Sequence, residues 1–156
     1  MAIPDGTDGV RATVRLMHDL IDQGKKSVRI RQLAVEITRG LKQKDWVAEI
    51  SAIHSFVRDR IRYVRDIHGV ETLHTAERIL DNAAGDCDDK TILFCALAES
   101  LGYHTRIVAI GFRKGSFSHV YPEVLINEHW ITAETTEPVK FGWKPKNIVN
   151  SIILEN

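Results

Sequence analysis

Cysteine is scarce in this chain: there are two in 156 residues, Cys87 and Cys95. If one helix carries both, their eight-residue interval corresponds to a rise of about 12 Å. That exceeds the Cα separation a disulfide tolerates. A disulfide-stapled scaffold is excluded, and two free thiols suit a reducing cytoplasm. Long apolar runs are missing too. None approaches the roughly 20 residues a membrane-spanning helix needs, and the opening MAIPDGTDGV has no apolar leader region. We therefore expect a cytoplasmic location and no membrane partner. Excess charge of one sign is also lacking, since 21 Lys and Arg balance 21 Asp and Glu. A global electrostatic case for nucleic acid fails on that balance. Internal repeats and low-complexity segments are absent.

What is present fits one domain. A chain of 156 residues leaves little room for two, and one core of that size buries roughly two-thirds of the unfolded surface. Charge is uneven along the chain. Gly24 to Trp46 holds seven Lys or Arg against two acidic residues, and Asp66 to His104 holds eight Asp or Glu against two basic ones. The basic stretch has no aromatics before Trp46 to stack on bases, so it reads as a solvated face.

Periodicity divides the chain into helices and then strands. Val10, Val14, Met17 and Ile21 mark a helix over about Asp8 to Gln23, with Gly24 as a stop. Val28 to Gly40 starts with strand-like alternation and ends like a helix. Trp46, Val47, Ile50, Ile53, Val57, Ile61 and Val64 form one apolar stripe. A loop through Gly69 and a short helix, Thr75 to Leu80 with Thr75 as its cap, come next. From Asp86 to Leu101 the chain is apolar on most faces of a helix, which predicts a central one. Gly102 ends it. The period then falls to two: strands are expected over Thr105 to Phe112, Phe117 to Ile126 and His129 to Thr135. With Pro138, Gly142 and Pro145, the tail reads as irregular. The fold class is α+β, with N-terminal helices and a central cysteine-bearing helix packed on an antiparallel sheet.

The start of that central helix, GDCDDK, carries the chemistry. Asp86 is a good N-cap. Cys87, in the first turn, feels the positive end of the helix dipole, which favours thiolate. Asp86, Asp88 and Asp89 oppose this by like-charge repulsion. A lone nucleophile would be weakened, but an imidazolium beside it would restore the balance, because the pair is internally neutral.

Of seven histidines, only His119 sits within a clear strand that has a carboxylate on the next one. If Asn127-Glu128 is a two-residue hairpin loop, the numbers of every cross-strand pair sum to 255. Tyr121 then faces Glu134, and His119 becomes its diagonal neighbour on one sheet face. A carboxylate there would orient the imidazole and support its positive charge.

The other candidates read as structural. Cys95 lies inside the apolar stretch and reads as an inert buried thiol. The run DCDD lacks calcium-loop spacing, and His68 and His74 lack partners that would complete a zinc site. No metal and no cofactor are expected. Trp130 and Trp143 read as packing residues, with Trp143 at the border of any cleft the tail crosses.

Taken together, GDCDDK before an apolar helix, then SHVYPEV, then WITAETT, resembles the transglutaminase-like superfamily, with its papain-like core. The usual pattern is matched by Gly85, Cys87, Leu101-Gly102, Arg106, His119, Trp130 and Thr136. The likeness runs from about residue 46 to 143. It implies Cys87 as nucleophile, His119 as base, and Glu134 where the family usually has Asp. The Cys87 backbone N–H, at a helix N-terminus, is the natural first oxyanion donor. The family draws a second from an upstream side chain, for which Trp46 and Tyr63 are both candidates. The implied activity is cysteine-dependent hydrolysis or acyl transfer at an amide of a protein or peptide, with hydrolysis favoured. The alternative is a non-catalytic module of the same fold, serving protein interaction or phage assembly and processing.

Overall fold

The structure is a computed structural model, and residues 6–65 and 73–155 are described. The expected loop through Gly69, and His68 within it, lie outside the described residues.

Among the described residues, five helices precede the main sheet. Helix α1 spans Thr7–Lys25 and buries Val10, Val14, Met17 and Ile21, the four positions read from the spacing. Gly24 is not its stop. It lies inside the helix, where a Cβ would meet those of Ala96 at 2.9 Å and Ala76 at 3.0 Å. Its bare backbone lets α1 approach its neighbours closely. Helix α2, Val28–Thr38, is helical from its first residue. The expected strand-like start gives way because Ser27 caps the helix, its Oγ accepting from the Ile30 N–H at 3.3 Å. Ile30 and Ala34 then fall on one buried face.

Helix α3, Trp46–Arg60, is capped by Asp45 and buries Ile50, Ile53, His54 and Val57. It stops before the end of the apolar stripe. The chain turns instead into β1, Arg62–Tyr63, which pairs in parallel with β2, Ala84–Gly85. Between them lies α4, Ala76–Asn82, capped as expected by Thr75.

Helix α5, Cys87–Ser100, is the centre of the molecule: every residue except Glu99 is buried. Helices α1 to α4 pack around it, and the main sheet takes the remaining side. That sheet has strand order β5-β4-β3-β6 and is antiparallel throughout. Its members are β3, Thr105–Gly111; β4, His119–Ile126; β5, His129–Thr132; and β6, Asn150–Glu155. Ile107, Ala109, Val120 and Val124 join the core with α5. Val108, Ile110 and Tyr121 form a small second cluster.

The hairpin arithmetic is met over four pairs, but β5 stops at Thr132 rather than at Thr135, so Glu134 lies beyond the paired strand and does not face Tyr121 in the ladder. Glu123 pairs with Thr132, Val124 with Ile131, Leu125 with Trp130 and Ile126 with His129. Asn127 and Glu128 take φ of 50° and 67°, as a two-residue turn of the mirror-image type demands. The tail is the correction. It is not irregular to its end, because residues 150–155 form β6 against β3. Proline and glycine dominate the approach, while the alternation in NSIILE is short and pairs with a strand far back in the chain.

Candidate active site

The site begins with backbone capping. Asp86 Oδ1 accepts from the N–H groups of Asp88 and Asp89, both at 3.0 Å, and the Asp86 carbonyl accepts from Lys90 at 3.0 Å. The side-chain cap thus takes up two of the donors that a helix start leaves without an intrahelical partner, while the bond from Lys90 is the first of the helix itself. Gly85 is held so close that a Cβ there would lie 2.5 Å from that of Asp89.

Cys87 is 4% exposed. Its Sγ lies 3.7 Å from Asp88 Oδ1, the thiol donating, and the Val120 backbone amide is bonded to the sulfur. Burial first, then the Asp88 charge, pushes this thiol well above its ordinary range; the Val120 N–H partly offsets them. The acidic neighbours thus oppose ionisation, as read from the sequence, and burial opposes it more strongly.

Beside Val120 on β4 stands His119, whose Nε2 lies 2.6 Å from Glu134 Oε2. Glu134 is 1% exposed. Burial pushes its carboxyl up, but the bonds from His119 and Thr136 outweigh this and hold it below the ordinary value. As a carboxylate it can only accept, so His119 Nε2 carries the proton and Nδ1 is the basic nitrogen. The extra methylene of Glu is taken up without slack. Oε1 accepts from the Thr136 N–H at 3.0 Å and from its hydroxyl at 2.8 Å.

One residue here was not legible in the sequence. His54, on α3, is 1% exposed, and its Nε2 donates to the Glu134 carbonyl at 2.5 Å. Its ring lies against Phe141, and burial lowers its pKa. It pins the backbone that carries Glu134. Spacing along α3 marked this face as core, yet nothing in the sequence tied it to residue 134. Lys90, inside GDCDDK, is another. Its buried Nζ donates to the carbonyls of Arg58 at 3.2 Å and Ile61 at 2.7 Å, closing the C-terminal end of α3. Burial lowers its pKa to about 8, against the attraction of Glu134 and Asp59.

The two candidates for a second oxyanion donor separate. Tyr63 pairs with Gly85 across β1 and β2 and lines the same cleft as His119 and Glu134. Burial and the neighbouring Cys87 raise its pKa, which keeps the phenol a proton donor. Trp46 sits at the other end of α3, about 21 Å of helix axis from Arg60. It lines a different cavity, with Tyr103, His104 and Asn127. Trp46 is therefore removed from the site: the helix has only one end near Cys87.

The remaining residues find structural roles. His74 lies in the loop before α4, its Nδ1 3.2 Å from Asp89 Oδ2. Cys95 is fully buried, and burial raises its pKa far beyond the range in which a thiol ionises in water. Arg106 pairs with Glu123 at 2.6 Å and lies over the Trp130 ring, 4.3 Å from its centroid. Trp143 lines the cleft, as the course of the tail suggested. Among the described residues there is no group of three or more His, Cys, Asp or Glu able to hold a metal ion. None of the described helices is long and apolar enough to cross a membrane.

The fold of a central helix against an antiparallel sheet is shared with solved structures. A candidate cysteine protease from Cytophaga hutchinsonii aligns with a TM-score of 0.58 and 18% identity, over 82% of this chain and 46% of its own. A candidate protease from Parabacteroides distasonis aligns at 0.60 and 10%, over 80% and 26%. LapG of Legionella pneumophila, in an EGTA-treated form, aligns at 0.55 and 13%, over 90% and 85%. This chain thus spans under half the length of the first two. No curated protein sequence matches it. The family is set by sequence: residues 31–135, more than half of the chain, match the model of the transglutaminase-like superfamily, and the chain belongs to that superfamily.

Proposed function

We propose that the protein is a cysteine-dependent amidase or protease acting through an acyl-enzyme, with Cys87, His119 and Glu134 as its catalytic residues. The observation that carries this reading is the His119–Glu134 pair at 2.6 Å, on the strand whose next amide bonds the Cys87 sulfur. His119 Nδ1 takes the thiol proton as Sγ attacks a substrate carbonyl, and Glu134 stabilises the imidazolium that forms. The oxyanion is received by the Cys87 N–H and the Tyr63 hydroxyl. Collapse breaks the C–N bond, and His119 hands its proton to the departing amine. The thioester is then hydrolysed by water that His119 deprotonates, releasing the acid and restoring the thiol. An amine in place of water would give a new amide. We favour water, because no described residue marks out an amine site.

The raised thiol pKa fits this sequence, since the proton needs to leave only when substrate is in place. The firm hold on Glu134 also weakens the alternative of a non-catalytic interaction or phage assembly module, which drew on Glu standing in the Asp position. The test is acid-quenched mass spectrometry of the protein with a peptide amide substrate. A thioester mass on Cys87 is expected, lost in Cys87→Ala and reduced about 10²–10⁴-fold in formation rate in His119→Ala. Turnover that survives Cys87→Ala would overturn the assignment.

A further inference from the structure

The cleft beside His119 has apolar walls, and of these the proposed chemistry uses the Tyr63 hydroxyl alone. Four aromatic residues among those described leave more than a third of their surface exposed: Trp46, Tyr63, Phe112 and Trp143. Three of them, all but Trp46, line the one cleft that also contains His119 and Glu134. They converge from separate parts of the chain: β1, the end of β3, and the tail. Exposed apolar surface gathered in a concave site marks a place where something binds.

The walls are also fixed in advance. The flanks of Tyr63 are bonded to Ala83 and Gly85 through Arg62 N–H at 2.9 Å and Val64 N–H at 3.0 Å. Gly111, just before Phe112, is so tightly backed that a Cβ would lie 1.6 Å from the Ser116 carbonyl oxygen. Trp143 follows Gly142, whose φ is 96° and whose N–H donates to Thr132 at 2.8 Å. The tail is pinned again where Val149 N–H donates to Gly111 at 2.9 Å. Its two pins lie on opposite sides of the sheet, so residues 143–148 must cross β4 and β3. The charged members of the lining beyond the candidate catalytic pair, Glu137 and Lys146, are opposite in sign. Neither an acidic nor a basic side chain is favoured by the balance. The cleft measures about 400 Å³, at the small end of ligand sites.

We propose that Tyr63, Phe112 and Trp143 form a side-chain specificity pocket, and that the substrate is an extended polypeptide bearing a bulky apolar or aromatic side chain next to the scissile amide. This rests on the catalytic reading of the same site. It is tested on the full chain with Cys87→Ala, using capped pentapeptides of alanine whose central residue is Phe, Leu, Asp or Lys, with calorimetric titration. The Phe and Leu peptides are expected to bind about tenfold or more tightly than the Asp and Lys peptides. Adding Trp143→Ala should reduce that preference to about threefold or less, and Phe112→Ala, on a separate segment, supplies the second variant. Trp46→Phe should leave it unchanged. Equal affinity for all four peptides, no binding of any, or a preference that survives both pocket variants overturns the inference. Cleavage separates it from the catalytic reading. An unsubstituted protein that cleaves all four alike refutes the pocket and keeps the mechanism. One that binds selectively and forms no thioester refutes the mechanism and keeps the pocket.

Discussion

Glu134 is the residue where this chain departs from the usual pattern of its family, and the structure shows what the longer side chain does. It spans from the Thr136 amide and hydroxyl on one oxygen to His119 on the other. Shortening it should break one end of that span. Glu134→Asp, although it restores the customary residue, is therefore expected to lower turnover about tenfold. Glu134→Gln, which loses the charge that supports the imidazolium, is expected to lower it by about 10²–10⁴-fold. Steady-state kinetics on the peptide amide decides both. A pH signature accompanies them. The folded-state pKa of Glu134 lies below its ordinary 4.5, so in the window below that value the unfolded chain binds more protons than the folded one. The stability from this group is present above pH 4.5 and lost as pH falls through the folded value. Denaturation midpoints in urea should fall less steeply on acidification in Glu134→Gln than in the unsubstituted protein. At this scale the sequence was informative, because a cap, a strand and a two-residue turn are local. His54 was silent in the sequence, because its partner is a carbonyl 80 residues away.

Among the elements, α5 sets the site and its first turn tolerates little change. Gly85 stands where any Cβ would be driven against Asp89, and Asp89 is fixed in turn by the Asp86 cap. Gly85→Ala should cost about 1–3 kcal/mol, read by chemical denaturation, and should reduce turnover by tilting the helix start that carries Cys87. Full stability with unchanged kinetics would refute the close-packing argument. Helix α5 and the β4–β5 hairpin were legible because their signals are complete within about 15 residues. The start of α2 was misread, because Val28 and Ile30 alternate like a strand and only the Ser27 cap decides otherwise. The extent of α3 was misread as well, since an apolar stripe cannot tell a continuing helix from a turn into β1.

Taken whole, the molecule is a sheet closed by a strand from the far end of the described chain. Strand β6 covers the edge of β3, and the segment leading to it forms one wall of the cleft. Removing residues 150–155 should uncover β3, an edge that otherwise invites pairing with another chain. Light scattering is expected to show aggregation of this truncated protein at concentrations where the intact one is monodisperse. A monodisperse, fully active truncation would show that β6 is dispensable. The sequence did not reveal this closure, because a strand's place in a sheet is a matter of long-range pairing. The enclosure of α5 by four helices and a sheet also bears on the chemical lifetime of the protein. Peroxide attacks cysteines that are accessible and ionised, whereas Cys87 is buried and its burial opposes ionisation. The protein should ride out oxidative bursts that would consume a more open thiolate.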